Sequence, residues 1–350
     1  MIKSLQSLRF VFVMLVVLSH IIGKSFDFGG ECGVAFFFVL SGFVLSYAYG
    51  RQVRCGQFQQ RKFLTRQLSK LYPLHLLTFL AMVVLDMRLG HVDSWIKLVA
   101  NMLLLQSWVP SDDFYFVANG SSWFLSDLLF FYVVFPPLYR WLSSSRIHQL
   151  LLAGSVVLAL YVGLAVSIPL DMVNPLLYAS PLTRLIDFAI GILLYRYYAS
   201  SAGNRVAQWF QRQQPAALSL IEAGLLLWVV LSFFVYQRAA LGFRCASLFW
   251  GVIPVLIYIY VVTDTLRGAV TWLLHRPVLM WLGGISFEIY LTHWLTMRVF
   301  YSMLLTLGMG EESRCQPLVF VTTLLVIIAV SYIVKRCFVD KVYAVLIKRG

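Results

Sequence analysis

An arginine and a histidine in the first apolar segment have residue types and a spacing suited to chemistry. Arg9 and His20 stand eleven positions apart in the run Arg-Phe-Val-Phe-Val-Met-Leu-Val-Val-Leu-Ser-His. Eleven residues make about three helical turns, so the two side chains point the same way, about 16 Å apart along the axis. Polar side chains inside an apolar helix are costly and by default suggest a function. The alternative is a snorkelling Arg9 at the membrane edge and a hydrogen-bonded packing residue at His20.

Other polar residues interrupt later apolar runs. Asp127 follows Trp123 by one helical turn, and Ser286, Tyr290 and His293 have the spacing of one helix face. Asp127 is predicted to lie at the depth of His20, where a carboxylate would orient the imidazole and favour its charged form. A structural ion pair would give the same sequence pattern.

Arg184 and Asp187 share an apolar run at a spacing of three, so we predict that they pair with each other. Ser41 and Gly42 form a small pair among bulky residues, which permits close helix packing or a ligand lying near the backbone.

The composition indicates an all-α, polytopic membrane bundle. Hydrophobic residues make up 60% of the 350 and charged residues only 12%, far from the balance of a soluble domain. We predict about ten transmembrane helices, both termini in the cytoplasm, and one domain over residues 1–350. The first segment is not expected to be a cleaved signal peptide. The predicted spans lie near residues 8–23, 33–49, 71–90, 123–142, 150–168, 181–197, 218–236, 247–264, 283–307 and 317–335.

The net charge of +13 does not indicate a nucleic-acid partner, because most basic residues fall in the predicted cytoplasmic segments, as the positive-inside rule requires. A basic cytoplasmic face also suits anionic membrane lipids or a phosphorylated cofactor. Arg66 and Lys70 are four residues apart ahead of Pro73 and share a helix face. They either fix the topology or clamp a phosphate.

Residues 96–108 are apolar but short, and a further span there would place Arg140 and Arg146 outside. We therefore predict a re-entrant or interfacial helix. The cysteines and histidines have no metal-ligand spacing, so no metal site is predicted.

In motif order, the chain resembles the acyltransferase-3 family of multipass membrane acyltransferases, which modify bacterial surface polysaccharides and other extracytoplasmic acceptors. Arg9 and His20 match its Arg-x10-His signature, and residues 33–43 resemble its second-helix motif. Residues 123–127 and 283–293 resemble its Trp-x-Leu-x-x-Glu and late Gly-x-x-Ser-Tyr-x-x-Tyr-x-x-His stretches. Two departures are an aspartate, Asp127, in place of the usual glutamate, and Gln67 and Lys70 in place of an Arg-x-x-Arg pair.

The resemblance implies an O-acyltransferase of the bacterial cytoplasmic (inner) membrane that uses acyl-CoA, most often acetyl-CoA, as donor substrate. Its acceptor would be a hydroxyl of an extracytoplasmic glycan or lipid-linked sugar, such as O-antigen, capsule or exopolysaccharide. His20 would be the general base and Asp127 its orienting partner. Basic residues on the cytoplasmic side would bind the donor phosphates: Arg9, Arg66 and Lys70. Candidates for the acceptor or oxyanion site are Trp123, Ser286, Tyr290 and His293.

Two other functions stay open on the sequence. One is a transporter or flippase of a lipid-linked sugar, although no inverted repeat favours it. The other is an acyltransferase acting on a lipid or a small metabolite. No SGNH-type extracytoplasmic domain is expected after the membrane core. The sequence does not define the acceptor sugar or its hydroxyl, the acyl group, the choice between direct transfer and an acyl-histidine intermediate, or the oligomeric state.

Overall fold

The computed structural model describes residues 2–22, 28–238, 242–266, 268–309 and 316–348, and this part of the chain is helical without a strand. Short 3-10 turns precede α6 and follow α4 and α11, and π-helical turns cover Asn174–Tyr178 and Lys335–Val339. The α-helices are α1 Lys3–Ile22, α2 Gly30–Arg54, α3 Gln60–Arg88, α4 Trp95–Met102, α5 Asp112–Tyr115, α6 Trp123–Ser144, α7 Ile147–Ser167, α8 Leu170–Val173, α9 Pro181–Tyr198, α10 Ser201–Gln211, α11 Pro215–Arg238, α12 Val252–Val262, α13 Ala269–Leu274, α14 Pro277–Gly284, α15 Ser286–Thr306, α16 Pro317–Val334 and α17 Asp340–Lys348.

The predicted all-α, polytopic membrane architecture is confirmed. In the described residues, 7 helices are long and apolar enough to cross a bilayer, or 8 if α8 and α9, which meet at a bend of 42°, form one span. The predicted span at 247–264 contains only the short helix α12, and the one at 283–307 is divided between α14 and α15. The total of ten spans and the cytoplasmic termini therefore stay predictions.

The apolar segment 96–108 forms no long helix. Its α4 has 8 residues, a length of about 12 Å that is too short for a hydrocarbon core. Asn101 ties α4 to the bundle. Its side-chain amide donates to the Val117 backbone carbonyl at 2.9 Å, and its backbone carbonyl oxygen lies 3.1 Å from Nε2 of His75. A helix that lies on or dips into the membrane fits this geometry.

The start of α1 is fixed by the segment around α13 and α14. Asp264 accepts from the backbone N–H of Ser4 at 2.8 Å and of Lys3 at 3.2 Å, which satisfies otherwise unpaired donors at a helix N-terminus. One turn on, the backbone of α1 lies against Gly283, where an added Cβ would collide with the Gln6 carbonyl. These contacts set the depth of Arg9 and His20, since both side chains belong to the same continuous helix.

Close backbone packing joins α2 to α9, as the predicted small pair allows. Gly42 faces Gly191, and a Cβ on either glycine would meet the backbone of the other helix. The adjacent Ser41 lines a cavity instead. The packing role predicted for the Ser41-Gly42 pair is therefore confirmed at Gly42, while a ligand beside Ser41 stays a prediction.

Helix α15 is the polar centre of the bundle. Its polar side chains are paired with neighbouring helices: Arg298 with Asp86 of α3 at 2.6 Å, Thr292 with Ser331 of α16 at 2.8 Å, and Glu288 with Lys335 at 3.2 Å. Paired polar groups can be tolerated at membrane depth. They also explain why an apolarity criterion alone does not select this 21-residue helix.

Candidate active site

His20 lines a small cavity between the ends of several helices. The cavity measures about 140 Å³, and His20 is exposed to it rather than packed away. Its walls are mainly aromatic, with a few hydroxyl and amide groups; they include Trp123, Tyr178, Tyr290, Trp294, Ser121 and Asn174. We call it the His20 cavity.

His20 and His293 are direct neighbours across the α1–α15 contact. Nε2 of His293 lies 3.2 Å from Nδ1 of His20, and the ring centroids are 5.1 Å apart in a stacked arrangement. Trp294 packs edge-on against His20 at 5.3 Å between centroids. His293 itself is completely buried. The exposed imidazole is therefore held by a buried one.

The hydrogen-bond partners define the tautomers of both rings when they are neutral. Nδ1 of His293 lies 2.7 Å from the Tyr290 carbonyl and 3.2 Å from the Ile289 carbonyl. A carbonyl only accepts, so Nδ1 of His293 carries the hydrogen and its Nε2 is an acceptor. Nδ1 of His20 is then a donor to that nitrogen, which the Ser121 hydroxyl also approaches at 3.5 Å. The Val16 carbonyl is a further acceptor for the His20 ring. With the hydrogen on Nδ1, the lone pair on Nε2 of His20 is the one that can accept a proton, the arrangement that a general base needs.

A larger cavity of about 460 Å³ lies around Arg9, and we call it the Arg9 cavity. Arg9, Lys70 and Lys335 line it from three different helical segments, together with Glu288. The charges of Arg66 and Arg9 act on Lys70, and the charge of Glu288 acts on Arg9. The cavity thus gathers positive charge at the end of α1 opposite to His20.

An aromatic cluster separates the two cavities. Tyr290 lines both of them, whereas Phe37 and Phe124 line the Arg9 cavity. The Phe124 and Tyr290 ring centroids are 5.1 Å apart, and Phe37 lies 6.3 Å from Phe124 and 6.5 Å from Tyr290. Tyr290 is thus the residue that the two cavities share, and Phe37 and Phe124 pack beside it in the wall of the Arg9 cavity.

The structure distributes the sequence-predicted residues over different surfaces. Arg9 and Lys70 share the Arg9 cavity, but Arg66 lines a separate surface pocket with Lys62. Ser286 lines the Arg9 cavity and not the His20 cavity, while Trp123 lines the His20 cavity. Tyr290 lines the His20 cavity, and His293 contacts His20 directly.

Asp127 does not reach His20. In the described part of the chain, no hydrogen bond or ion pair joins the two, and the cation that acts on the buried Asp127 carboxylate is Arg184. The reason is the helix order: α2 packs against both α1 and α6, and α6 packs against α9, which carries Arg184. The predicted orienting contact is therefore corrected, because His293 occupies that position.

Arg184 is the centre of a buried polar cluster behind the His20 cavity. The predicted pair with Asp187 is confirmed at 2.9 Å. Arg184 also donates to the Tyr178 carbonyl at 2.6 Å and stacks over the Tyr178 ring at 4.8 Å. Since Tyr178 lines the His20 cavity, the cluster supports one wall of that cavity.

Sequence reasoning missed three contributors: Lys335, Glu288 and Trp294. Lys335 directly follows an apolar span, a position that the positive-inside rule already explains. Glu288 does not share the helical spacing of Ser286, Tyr290 and His293, and Trp294 carries no signal beyond its neighbour His293. In the residues that the structure covers, no group of three His, Cys, Asp or Glu side chains could hold a metal ion.

Comparison with known proteins identifies the family of the chain. A family model described as an acyltransferase domain matches residues 2–336. The chain is 27% identical over 325 residues to "Acyltransferase MdmB" of Streptomyces mycarofaciens, covering 84% of this chain and 79% of that protein. No solved structure matches. The match over nearly the whole chain shows that this protein belongs to the acyltransferase-3 family of membrane acyltransferases.

Proposed function

We propose that the protein is a membrane-embedded O-acyltransferase, and specifically an O-acetyltransferase. It would move the acyl group of cytoplasmic acetyl-CoA to a hydroxyl of an extracytoplasmic glycan such as O-antigen, capsule or exopolysaccharide, in the bacterial inner membrane. The observation that carries the proposal is the pair of cavities along α1. One is basic and contains Arg9, the other contains an exposed imidazole, and Tyr290 borders both.

The Arg9 cavity suits the donor. Charge-assisted hydrogen bonds from arginine and lysine are strong with phosphate oxygens, and coenzyme A carries three phosphate groups. The predicted topology places Arg9, Lys70 and Lys335 at the cytoplasmic end. The rise of about 16 Å from Arg9 to His20 leaves room for an extended pantetheine arm that directs the thioester toward the aromatic cluster.

His20 supplies the base. Nε2 of His20 takes the proton of the acceptor hydroxyl while that oxygen attacks the thioester carbonyl. The tetrahedral intermediate collapses with cleavage of the C–S bond, and the departing thiolate of coenzyme A takes the proton back from His20. Tyr290, at the border of the cavities, is the candidate to donate a hydrogen bond to the developing oxyanion.

The His20 cavity suits a sugar acceptor. Aromatic rings from Trp123, Tyr178 and Trp294 offer flat apolar surfaces for the C–H faces of a sugar, and Ser121 and Asn174 offer hydrogen bonds. The predicted topology opens this cavity to the extracytoplasmic side. A lipid-linked sugar could present its hydroxyl there from the membrane surface.

Mass spectrometry of surface glycans tests the proposal. A strain lacking the gene is complemented with the wild type, with His20→Ala, or with His148→Ala, a control at an exposed histidine. We expect the wild type and the control to restore an acetyl mass increment and His20→Ala to abolish it at normal protein levels. Loss of whole chains with an accumulated precursor would indicate a flippase. An acetylated lipid or metabolite with unmodified glycan would change the acceptor class.

A further inference from the structure

The ion pair between Lys335 and Glu288 lies in the wall of the Arg9 cavity. Nζ of Lys335 lies 3.2 Å from Oε1 of Glu288 and donates to the Gly284 carbonyl at 2.7 Å. The Glu288 side chain is only 4% exposed and that of Lys335 29% exposed. A buried carboxylate therefore holds a cation that can still be reached from the cavity.

Glu288 is incompletely satisfied in this arrangement. Its second carboxylate oxygen, Oε2, is buried and has no hydrogen-bond partner among the described residues. Its charge also acts on Arg9. A buried carboxylate oxygen without a hydrogen-bond partner is costly, so the contact with Lys335 does not fully satisfy Glu288. An anion with more charge than one carboxylate would compete for Lys335, and the charge of Arg9 would still act on Glu288.

The cavity has more positive than negative charge. Arg9, Lys70 and Lys335 face the carboxylates of Glu288 and Asp340, and Asp340 is exposed at the rim, where water screens it. Arg66 adds positive charge next to Lys70. The excess favours an anion with more charge than one carboxylate, and a phosphate fits this requirement.

Lys335 comes from a segment with unusual backbone geometry. It is the first residue of the π-helical turn Lys335–Val339 between α16 and α17. Such turns are rare in proteins as a whole, and those that occur frequently lie at functional sites. The same turn contributes Val339 to the cavity wall.

We propose that Lys335 binds a phosphate of coenzyme A and that Glu288 occupies Lys335 as an internal counter-ion when the donor is absent. This inference rests on the proposed function and adds a donor-binding residue and a displacement step to it. The phosphate takes the place of the Glu288 carboxylate at Lys335. No covalent bond changes in this exchange.

Titration of the purified full-length protein with coenzyme A, in detergent or nanodiscs, tests the inference. We expect Lys335→Met to weaken binding about tenfold or more, as loss of a charge-assisted contact does, and Lys335→Arg to retain most of the affinity. Lys341→Met is the matched control, because Lys341 is an exposed lysine on the following helix and does not line the cavity. Its affinity should equal that of the wild type.

Glu288→Gln provides the second arm. With the competing charge removed, coenzyme A should bind more tightly than in the wild type, and this gain should disappear when Lys335→Met is present in the same chain. Thermal unfolding of each variant ensures that only folded protein is compared. A wild type that binds no coenzyme A would defeat the proposed function itself. Two results would overturn this inference while leaving the donor site intact. One is a Lys335→Met variant that binds coenzyme A as tightly as the wild type, and the other is a Glu288→Gln variant that binds it more weakly.

Discussion

Nδ1 of His20 lies 3.2 Å from Nε2 of His293, and the backbone carbonyls around Nδ1 of His293 determine which of the two nitrogens donates. The buried ring therefore acts on the tautomer of the exposed ring together with the Val16 carbonyl, which also accepts a hydrogen bond from the His20 ring. We propose that His293 takes the place that a carboxylate has in many histidine-based sites. A neutral histidine in this position avoids placing a buried anion beside His20.

The first prediction concerns this pair. His293→Ala should lower kcat by about a hundredfold or more, since a misoriented base loses much of the contribution of general base catalysis. The KM for acetyl-CoA should change little, because His293 does not line the Arg9 cavity. His293→Gln should recover part of the rate, since its side-chain oxygen can accept from His20.

Steady-state kinetics on purified protein measures both constants. His75→Gln is the control, because His75 is also a buried histidine that contacts a backbone carbonyl, that of Asn101. If the His293 variants and His75→Gln lost kcat equally, the role of His293 would be in packing alone.

The helical class, the membrane character and the Arg184–Asp187 pair could be predicted from the sequence, because hydropathy and short-range helical spacing are local properties. The partner of His20 could not. Asp127 and His293 are both polar residues in apolar runs, and only the helix order, with α2 packed between α1 and α6, decides which of them meets His20.

The same limit applies to the basic residues. Arg66 and Lys70 are neighbours on one helix face, yet only Lys70 lines the Arg9 cavity. Lys335 lies far away in sequence and completes that cavity. A positive charge near a membrane edge satisfies the topology rule whatever it contacts, so its spacing carries no information about a distant partner.

The second prediction separates structure from catalysis in the Arg184 cluster. Arg184→Met should be the most destabilising change, by about 3–5 kcal/mol, because it leaves the buried Asp187 without its ion-pair partner. Asp127→Asn should destabilise less, since Arg184 keeps its pair with Asp187.

Thermal unfolding in detergent ranks the two variants, and a kinetic assay on the folded fraction of Asp127→Asn complements it. We expect that fraction to bind acetyl-CoA normally and to keep more activity than His293→Ala. If Asp127→Asn lost as much turnover as His20→Ala, Asp127 would have to be counted among the groups that take part in the reaction.

The third prediction tests the orientation of the chain. All five cysteines are replaced, and then either Cys55 is restored or His91→Cys is introduced; both positions are exposed. A membrane-impermeant thiol reagent applied to intact cells should label position 91 and not position 55. Permeabilised cells should label both, which controls for reactivity. Labelling of position 55 alone in intact cells would show that the chain has the opposite orientation, with the Arg9 cavity on the side away from cytoplasmic acetyl-CoA.

The last prediction concerns the length of the acyl group. The His20 cavity measures only about 140 Å³, and in the proposed mechanism the thioester approaches it past Phe37, Phe124 and Tyr290. Each methylene that cannot be accommodated costs about tenfold or more in kcat/KM. The wild type should therefore prefer acetyl-CoA to butyryl-CoA by about a hundredfold.

Phe124→Ala should relax this preference by about tenfold, because it removes the ring that lies 5.1 Å from Tyr290 at the border of the two cavities. Phe135→Ala is the control: Phe135 is a buried phenylalanine on the same helix that lines neither cavity, so its loss should affect stability without changing the ratio of the two substrates. The measurement is kcat/KM for acetyl-, propionyl- and butyryl-CoA with each variant. If the wild type used all three donors equally well, or if both alanine variants shifted the ratio alike, the aromatic cluster would not select the acyl group. A preference that falls only in Phe124→Ala would identify the passage between the cavities as the place where acyl length is selected.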